Sequence, residues 1–281
     1  MTDDIFNTAS SLFSKNKPAR NLTIDEYRGN DGLIYCSKCN TPKECKIIFL
    51  GNEMIMPCIC NCRQREIEEE KIFREKQKEI MKINRLKAIG IQEKHLLDWK
   101  FAVAEENRNI TIAKRYVESW NKIKKDNLGL LLWGNVGSGK SFMAACIANA
   151  LIEKNIPVLM TNFSKILNQM GAMYSDERYR YIASFSNFPL LIIDDLGIER
   201  KTEYALEQIY AVIDERYKSG LPLIITTNLT INEIRNPIDI YHERIYSRIL
   251  EMCTPVYIGG EDCRKNISKN KQDNVKEILF L

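Results

Sequence analysis

Eight consecutive residues, Gly134 to Ser141 (GNVGSGKS), constrain this chain of 281 residues more tightly than any other stretch. They fit the pattern G-x-x-x-x-G-K-[ST], in which a strand ends in a glycine-rich turn and a helix begins. Glycine at 134, 137 and 139 lets the backbone take positive φ and point its N–H groups inward around an anion, and the N-terminus of the following helix adds partial positive charge. The expected phosphate cradle is therefore Gly134, Asn135, Val136, Gly137, Ser138, Gly139, Lys140, Ser141 and Phe142. Within it Lys140 neutralises phosphate charge, and the Ser141 hydroxyl is placed for a Mg2+ ion bridging the β- and γ-oxygens of ATP. The context agrees: an apolar run at 128–133 (LGLLLW) precedes the loop, and a small-residue helical stretch at 142–151 (FMAACIANAL) follows it.

The remaining composition sets limits. A chain of this length that is 44% hydrophobic can bury one sizeable core plus a small appendage. It contains no apolar run of about 18 residues, and its start (MTDDIFNTAS) lacks the basic and apolar blocks of a signal peptide. The expected location is the cytoplasm, with no membrane partner. A formal net charge of +4 permits an anionic partner without requiring one.

Six of the nine cysteines fall between Cys36 and Cys62. Cys36 and Cys39 form a C-x-x-C knuckle; Cys58, Cys60 and Cys62 form C-x-C-x-C; Gly51-Asn52 between them suits a hairpin turn. Two thiolate pairs brought together by a hairpin make a tetrahedral Zn2+ site, preferred over free structural thiols or a redox centre in a reducing compartment. Five thiols compete for four places: Cys36 and Cys39 are fixed, two of Cys58, Cys60 and Cys62 complete the set, and the isolated Cys45 stands outside. The expected organisation is a flexible tail over 1–35, a zinc module over 36–62, an exposed helical linker over 63–89 with balanced charge, and an ATPase domain over 90–281.

Beyond the loop, apolar runs at 157–160, 190–193 and 223–226 alternate with helical stretches, the pattern of an α/β fold with a parallel sheet flanked by helices and a ligand at the strands' C-terminal ends. The run LLIIDD at 190–195 is a Walker B element: Asp194 is placed to hold Mg2+, and Asp195 to act as the base that orients the attacking water. The third run ends in Thr227 and Asn228, where an amide can fix that water or sense the γ-phosphate, and Thr230 with Glu233 forms a capping box directly afterwards. Arg244 and Arg248 stand one helical turn apart, expected on one face. The segment 173–181 (MYSDERYRY) interleaves tyrosine with Arg178 and Arg180, a composition able to stack bases and neutralise phosphates, although tyrosines at this spacing also serve as core.

Together the GNVGSGKS loop, LLIIDDLG, IDERYKSGLPLIITTNL, ERIYSRILEMC and the preceding cysteine module resemble AAA+ ATPases of the DnaC/DnaI-type replicative helicase-loader family of bacteria and phages, which is related to IstB. The resemblance covers nearly the whole chain. It implies that Arg248 is a finger acting on a neighbouring subunit's ATP, with Arg244 beside it, and hence self-association through the ATPase domain. It also implies a DnaB-type helicase partner held through the zinc module, and single-stranded DNA contacts on the AAA+ domain. Two departures stand out: Asp195 occupies a position that is glutamate in many AAA+ proteins, and the stretch from Met252 is too short for a separate helical lid, leaving Arg264 as the candidate second sensor. The rival readings are an IstB-like transposition helper, a nucleotide-gated DNA-binding adaptor with negligible hydrolysis, and a small-molecule P-loop kinase. The sensor asparagine and the Arg244/Arg248 segment argue against the kinase.

Overall fold

The computed structural model describes residues 21–49, 51–197, 202–260, 275–276 and 278–279, and divides into two compact units, Met1–Glu79 and Ile80–Leu281. The first unit holds two antiparallel hairpins. β1 (Glu26–Arg28) pairs with β2 (Ile34–Cys36), and β3 (Glu44–Phe49) pairs with β4 (Asn52–Pro57) across the expected turn at Gly51. The first hairpin lies within the segment expected as a tail over 1–35 and corrects that expectation for 26–35, while 1–20 lie outside the described residues. Its turn is closed by the Gly29 N–H donating to Leu33 O (2.9 Å) and the Leu33 N–H to Asp31 Oδ1 (3.1 Å). Glu26 is buried there against Lys43 Nζ at 2.7 Å, and hydrogen bonds from Lys43 and from the Thr23 N–H hold its carboxyl down at about 2.

α1 runs over Asn61–Gly90, with Ile67, Ile72, Phe73 and Ile80 exposed along it, as a helix rich in Glu, Lys and Arg requires. The expected boundary at 89/90 moves forward into this helix because Ile83 and Leu86 pack on the second unit's core. Gly90 ends the helix where a Cβ would lie 2.0 Å from Val158 O, so only glycine permits that approach.

The second unit is built on five parallel strands in the order β6-β7-β8-β5-β9. These are β5 (Gly129–Trp133), β6 (Val158–Asn162), β7 (Leu190–Leu196), β8 (Leu223–Thr227) and β9 (Cys253–Tyr257). α2 (Arg108–Glu118) and α3 (Trp120–Lys125) precede β5, and between the strands run α4 (Lys140–Glu153), α5 (Phe163–Gly171), α6 (Ser175–Ser184), α7 (Glu203–Ser219), α8 (Ile231–Arg235) and α9 (Ile240–Met252). Successive strand residues feed opposite faces: Leu130, Leu132, Ile192 and Ile224 join one core with α2 and α4, while Leu131, Ile193, Ile225 and Leu223 join the other with α5, α7 and α9. The expected α/β fold with a parallel sheet flanked by helices is thus the observed one. Among the described residues no helix is long and apolar enough to cross a membrane.

Candidate nucleotide site and thiol cluster

β5 ends at Trp133, and the loop turns under it into α4. Gly134 has φ 150° and approaches Ile258 O so closely that a Cβ would sit 2.3 Å from it; Gly139, with φ 93°, caps α4. Lys140 is buried, and its ammonium donates to Gly134 O (2.9 Å), Asn135 O (2.7 Å) and Asn228 Oδ1 (2.8 Å). The loop and the sensor asparagine, 88 residues apart, therefore meet at one charge. A cavity of about 730 Å³ opens from residues 136–143 towards Trp99, Val103 and Ile110, with Asp195 and Asn228 on its wall. Its size and its apolar far end suit a purine attached to phosphates. Ser138 Oγ is buried without a hydrogen-bond partner at the phosphate end, a polar atom that a bound phosphate oxygen would satisfy.

Asn149 escaped the sequence reading. It lies buried in α4, and its amide donates to Leu96 O (2.8 Å) and Trp99 O (3.0 Å), tying the turn that carries Trp99 to the helix that carries Lys140. Trp99 in turn packs at 5.7 Å from Phe142. A buried amide in the otherwise apolar CIANALI was the signal available.

β7 delivers the two acids. Asp194 lies opposite Asn162 of β6, and Asp195 occupies the left-handed region at φ 58° within a bulge between Ile193 and Leu196. Asp194 Oδ1 accepts from Thr226 Oγ1 at 2.5 Å, and the Asp195 N–H donates to the same hydroxyl at 2.9 Å. Ser141 and Asp194 offer hard oxygen donors, the chemistry Mg2+ prefers when it keeps several waters.

Arg244 and Arg248 do not behave alike. Arg244 is exposed on α9, whereas Arg248 forms an ion pair with Asp214 of α7 and lies 4.6 Å and 5.4 Å from the ring centres of Tyr210 and Tyr217. Neither lines the cavity. Arg216, of a residue type that ordinarily lies at the surface, is fully buried instead: its guanidinium donates to the carbonyls of Pro222, Phe185, Phe188 and Pro189, and desolvation lowers its pKa to about 10. On α6, Tyr179 is exposed, as is its N-cap Tyr174; Arg178 donates to the Tyr204 hydroxyl at 2.9 Å, and Tyr181 packs against Phe185. Arg264 lies outside the described residues.

In the first unit the sulfurs of Cys36, Cys39, Cys60 and Cys62 all lie within 4.8 Å of one another. Cys58, one of the five candidates, is turned away, its thiol on Pro42 O at 3.3 Å. The Thr41 hydroxyl beside Cys39 lowers that thiol's pKa, while the neighbouring thiols of Cys60, Cys36 and Cys39 raise that of Cys62. Four thiolates this close need a cation to coexist, and Zn2+ in tetrahedral all-thiolate coordination fits the donor set.

A phosphate loop after a central parallel strand, acids after the next strand but one and an asparagine on the strand between define a P-loop nucleotide-binding protein of the AAA+ type. Residues 62–271 match the family described as IstB-like ATP binding protein, and the chain belongs to that family. It is 24% identical to the replicative helicase loader DnaI of Bacillus subtilis over 82% of this chain and 78% of DnaI. It is 26% identical to the replicative helicase loader DnaC of Buchnera aphidicola over 68% of this chain and 79% of DnaC, and spans about half the length of other curated relatives. A crystal structure of DnaI shares the fold at a TM-score of 0.51, 20% identity and coverage of 63% of this chain and 98% of that one. The expected kinship with DnaC/DnaI-type AAA+ proteins holds.

Proposed function

We propose that this chain is an ATP-hydrolysing loader that delivers a DnaB-type ring helicase onto single-stranded DNA. The observation that carries the reading is one chain holding both a complete phosphate site and a four-thiol cluster, with similarity to a named helicase loader running over 82% of its length. Lys140 holds the phosphates, and Asp195 and Asn228, both on the cavity wall, orient the water that attacks the γ-phosphate. Ser141 and Asp194 hold Mg2+, which when bound neutralises charge on the β- and γ-oxygens. Arg248 of one subunit serves the ATP of the next, which makes self-association part of turnover.

The zinc module, held by Cys36, Cys39, Cys60 and Cys62, carries the helicase contact. The exposed apolar side chains of its second hairpin, Ile48, Phe49 and Ile55, offer the surface for it. Tyr174, Tyr179 and Arg178 supply base stacking and phosphate contact for single-stranded DNA. The family is described as IstB-like, which keeps a second reading, an IstB-like transposition helper. The test is capture of the replicative helicase of the same organism by the full-length chain with ATP and single-stranded DNA. Retention of the helicase, lost on Cys60→Ser/Cys62→Ser replacement, supports the loader; no retention under any nucleotide condition overturns it.

A further inference from the structure

The bulge that places the two acids has an unusual partner. On β7 the ladder to β8 runs regularly through Ile193↔Ile225 and resumes at Leu196↔Thr227, so Asp194 and Asp195 together face one residue, Thr226. Two residues against one leave ladder hydrogen bonds unmade, and beside the fully buried β8 such groups must find other partners. The Thr226 side chain takes over that role. Its hydroxyl accepts the Asp195 N–H at 2.9 Å and spends its single proton on Asp194 Oδ1 at 2.5 Å.

We infer that Thr226 is the positioning residue of the Walker B acids. One hydroxyl sets the carboxylate rotamer of Asp194, leaving Oδ2 for the metal shell, and pins the backbone of Asp195 at φ 58°, in the left-handed region that is uncommon outside glycine. It sits two residues before Asn228, whose Oδ1 meets Lys140, so β8 carries the supports of both halves of the site. This inference rests on the Mg2+-ATP reading above. A group that aims a metal ligand without touching the metal typically changes affinity or rate by about 10–100-fold when removed.

The experiment compares Thr226→Val, which keeps shape and removes the hydroxyl, with Thr226→Ser, which keeps the hydroxyl. The readout is the Mg2+ concentration that half-saturates the tightening of a fluorescent ATP analogue, measured on the full chain beside the turnover rate at neutral pH. The expected result is a rise in that midpoint of about tenfold or more for Val, with kcat falling and metal-free nucleotide affinity held within about threefold; Ser stays within about threefold of wild type throughout. A Val variant with the wild-type midpoint, or a Ser variant shifted as far as Val, overturns the inference. If Val does not fold, the Ser variant alone decides, since loss of the midpoint with the hydroxyl present contradicts positioning by that group. A wild-type chain whose nucleotide affinity ignores Mg2+ would instead sink the Mg2+-ATP reading.

Discussion

The two units solve the problem of holding a charged ligand in opposite ways. In the second, five strands and their helices bury apolar side chains on both faces of the sheet, and the phosphate site stands on that finished scaffold: Lys140 is buried with three carbonyl-type acceptors already around it. In the first, the described residues from 21 to 79 bury only Glu26, Leu33, Ile34, Cys36 and Cys60. Two of those five are members of the sulfur cluster. A sheet with a full core can bind and release its ligand and stay folded, whereas a module whose centre is four thiols would, on the zinc reading proposed above, depend on the metal for its fold.

The largest expected effect follows from that contrast. Stripping zinc with a chelator should unfold the first unit, a loss on the order of 10 kcal/mol, while ATP affinity changes less than about twofold. Metal analysis and hydrogen exchange resolved by segment would check it; intact protection over 26–57 in metal-free protein would erase the distinction between the units. Within the second unit, Arg248→Ala should leave nucleotide binding unchanged and lower assembled turnover by about 10³ or more. Asp214→Asn, which frees Arg248 from its ion pair, should not lower it; an Asp214→Asn loss as deep as that of Arg248→Ala would make the pair structural rather than catalytic. Lys140→Ala should weaken ATP binding by at least about 100-fold with the melting temperature preserved, since the lysine serves a ligand on a scaffold that does not need it.

Legibility in the sequence divides along the same line. Four of the five sheet strands, the loop, the acids and the Thr230/Glu233 capping box were readable, because apolar runs and glycine spacing record burial and turning directly. β9 was not: Cys253–Tyr257 contains Pro255, which a parallel sheet tolerates only because this strand lies at the edge. Arg216 passed unnoticed because of its residue type, although it continues the 3.6-residue period of Leu206, Ile209, Val212 and Ile213 that marks the buried face of α7. The bulge at Asp195 and the pairing of Arg248 with Asp214 depend on contacts distant in sequence, which no local pattern contains. In the cysteine module the spacing pointed to Zn2+ but left three thiols for two places; Cys60 and Cys62 lie with Cys36 and Cys39, while Cys58 is turned onto Pro42 O. The turn signal Gly-Asn-Asp-Gly at 29–32 was present and outweighed by the polarity around it.

The smallest expected effect probes what besides metal holds the first unit. Buried Glu26 and half-buried Lys43 form an ion pair that joins the first hairpin to the start of the second across 17 residues. Removing Lys43 leaves the Glu26 charge buried, so Lys43→Met alone should cost more than the pair's net worth; removing both as Glu26→Gln/Lys43→Met should recover part of that loss. The expected shift for the single change is about 4–8 °C in the melting temperature of the zinc-loaded module, the equivalent of ~1 kcal/mol in a domain this small. Calorimetry of wild type, both single variants and the double variant measures the coupling. Strict additivity would mean that the pair contributes nothing, and that the remaining ties, among them the Ile34 N–H on Glu44 Oε2 at 3.0 Å and the thiol cluster, hold the hairpins together.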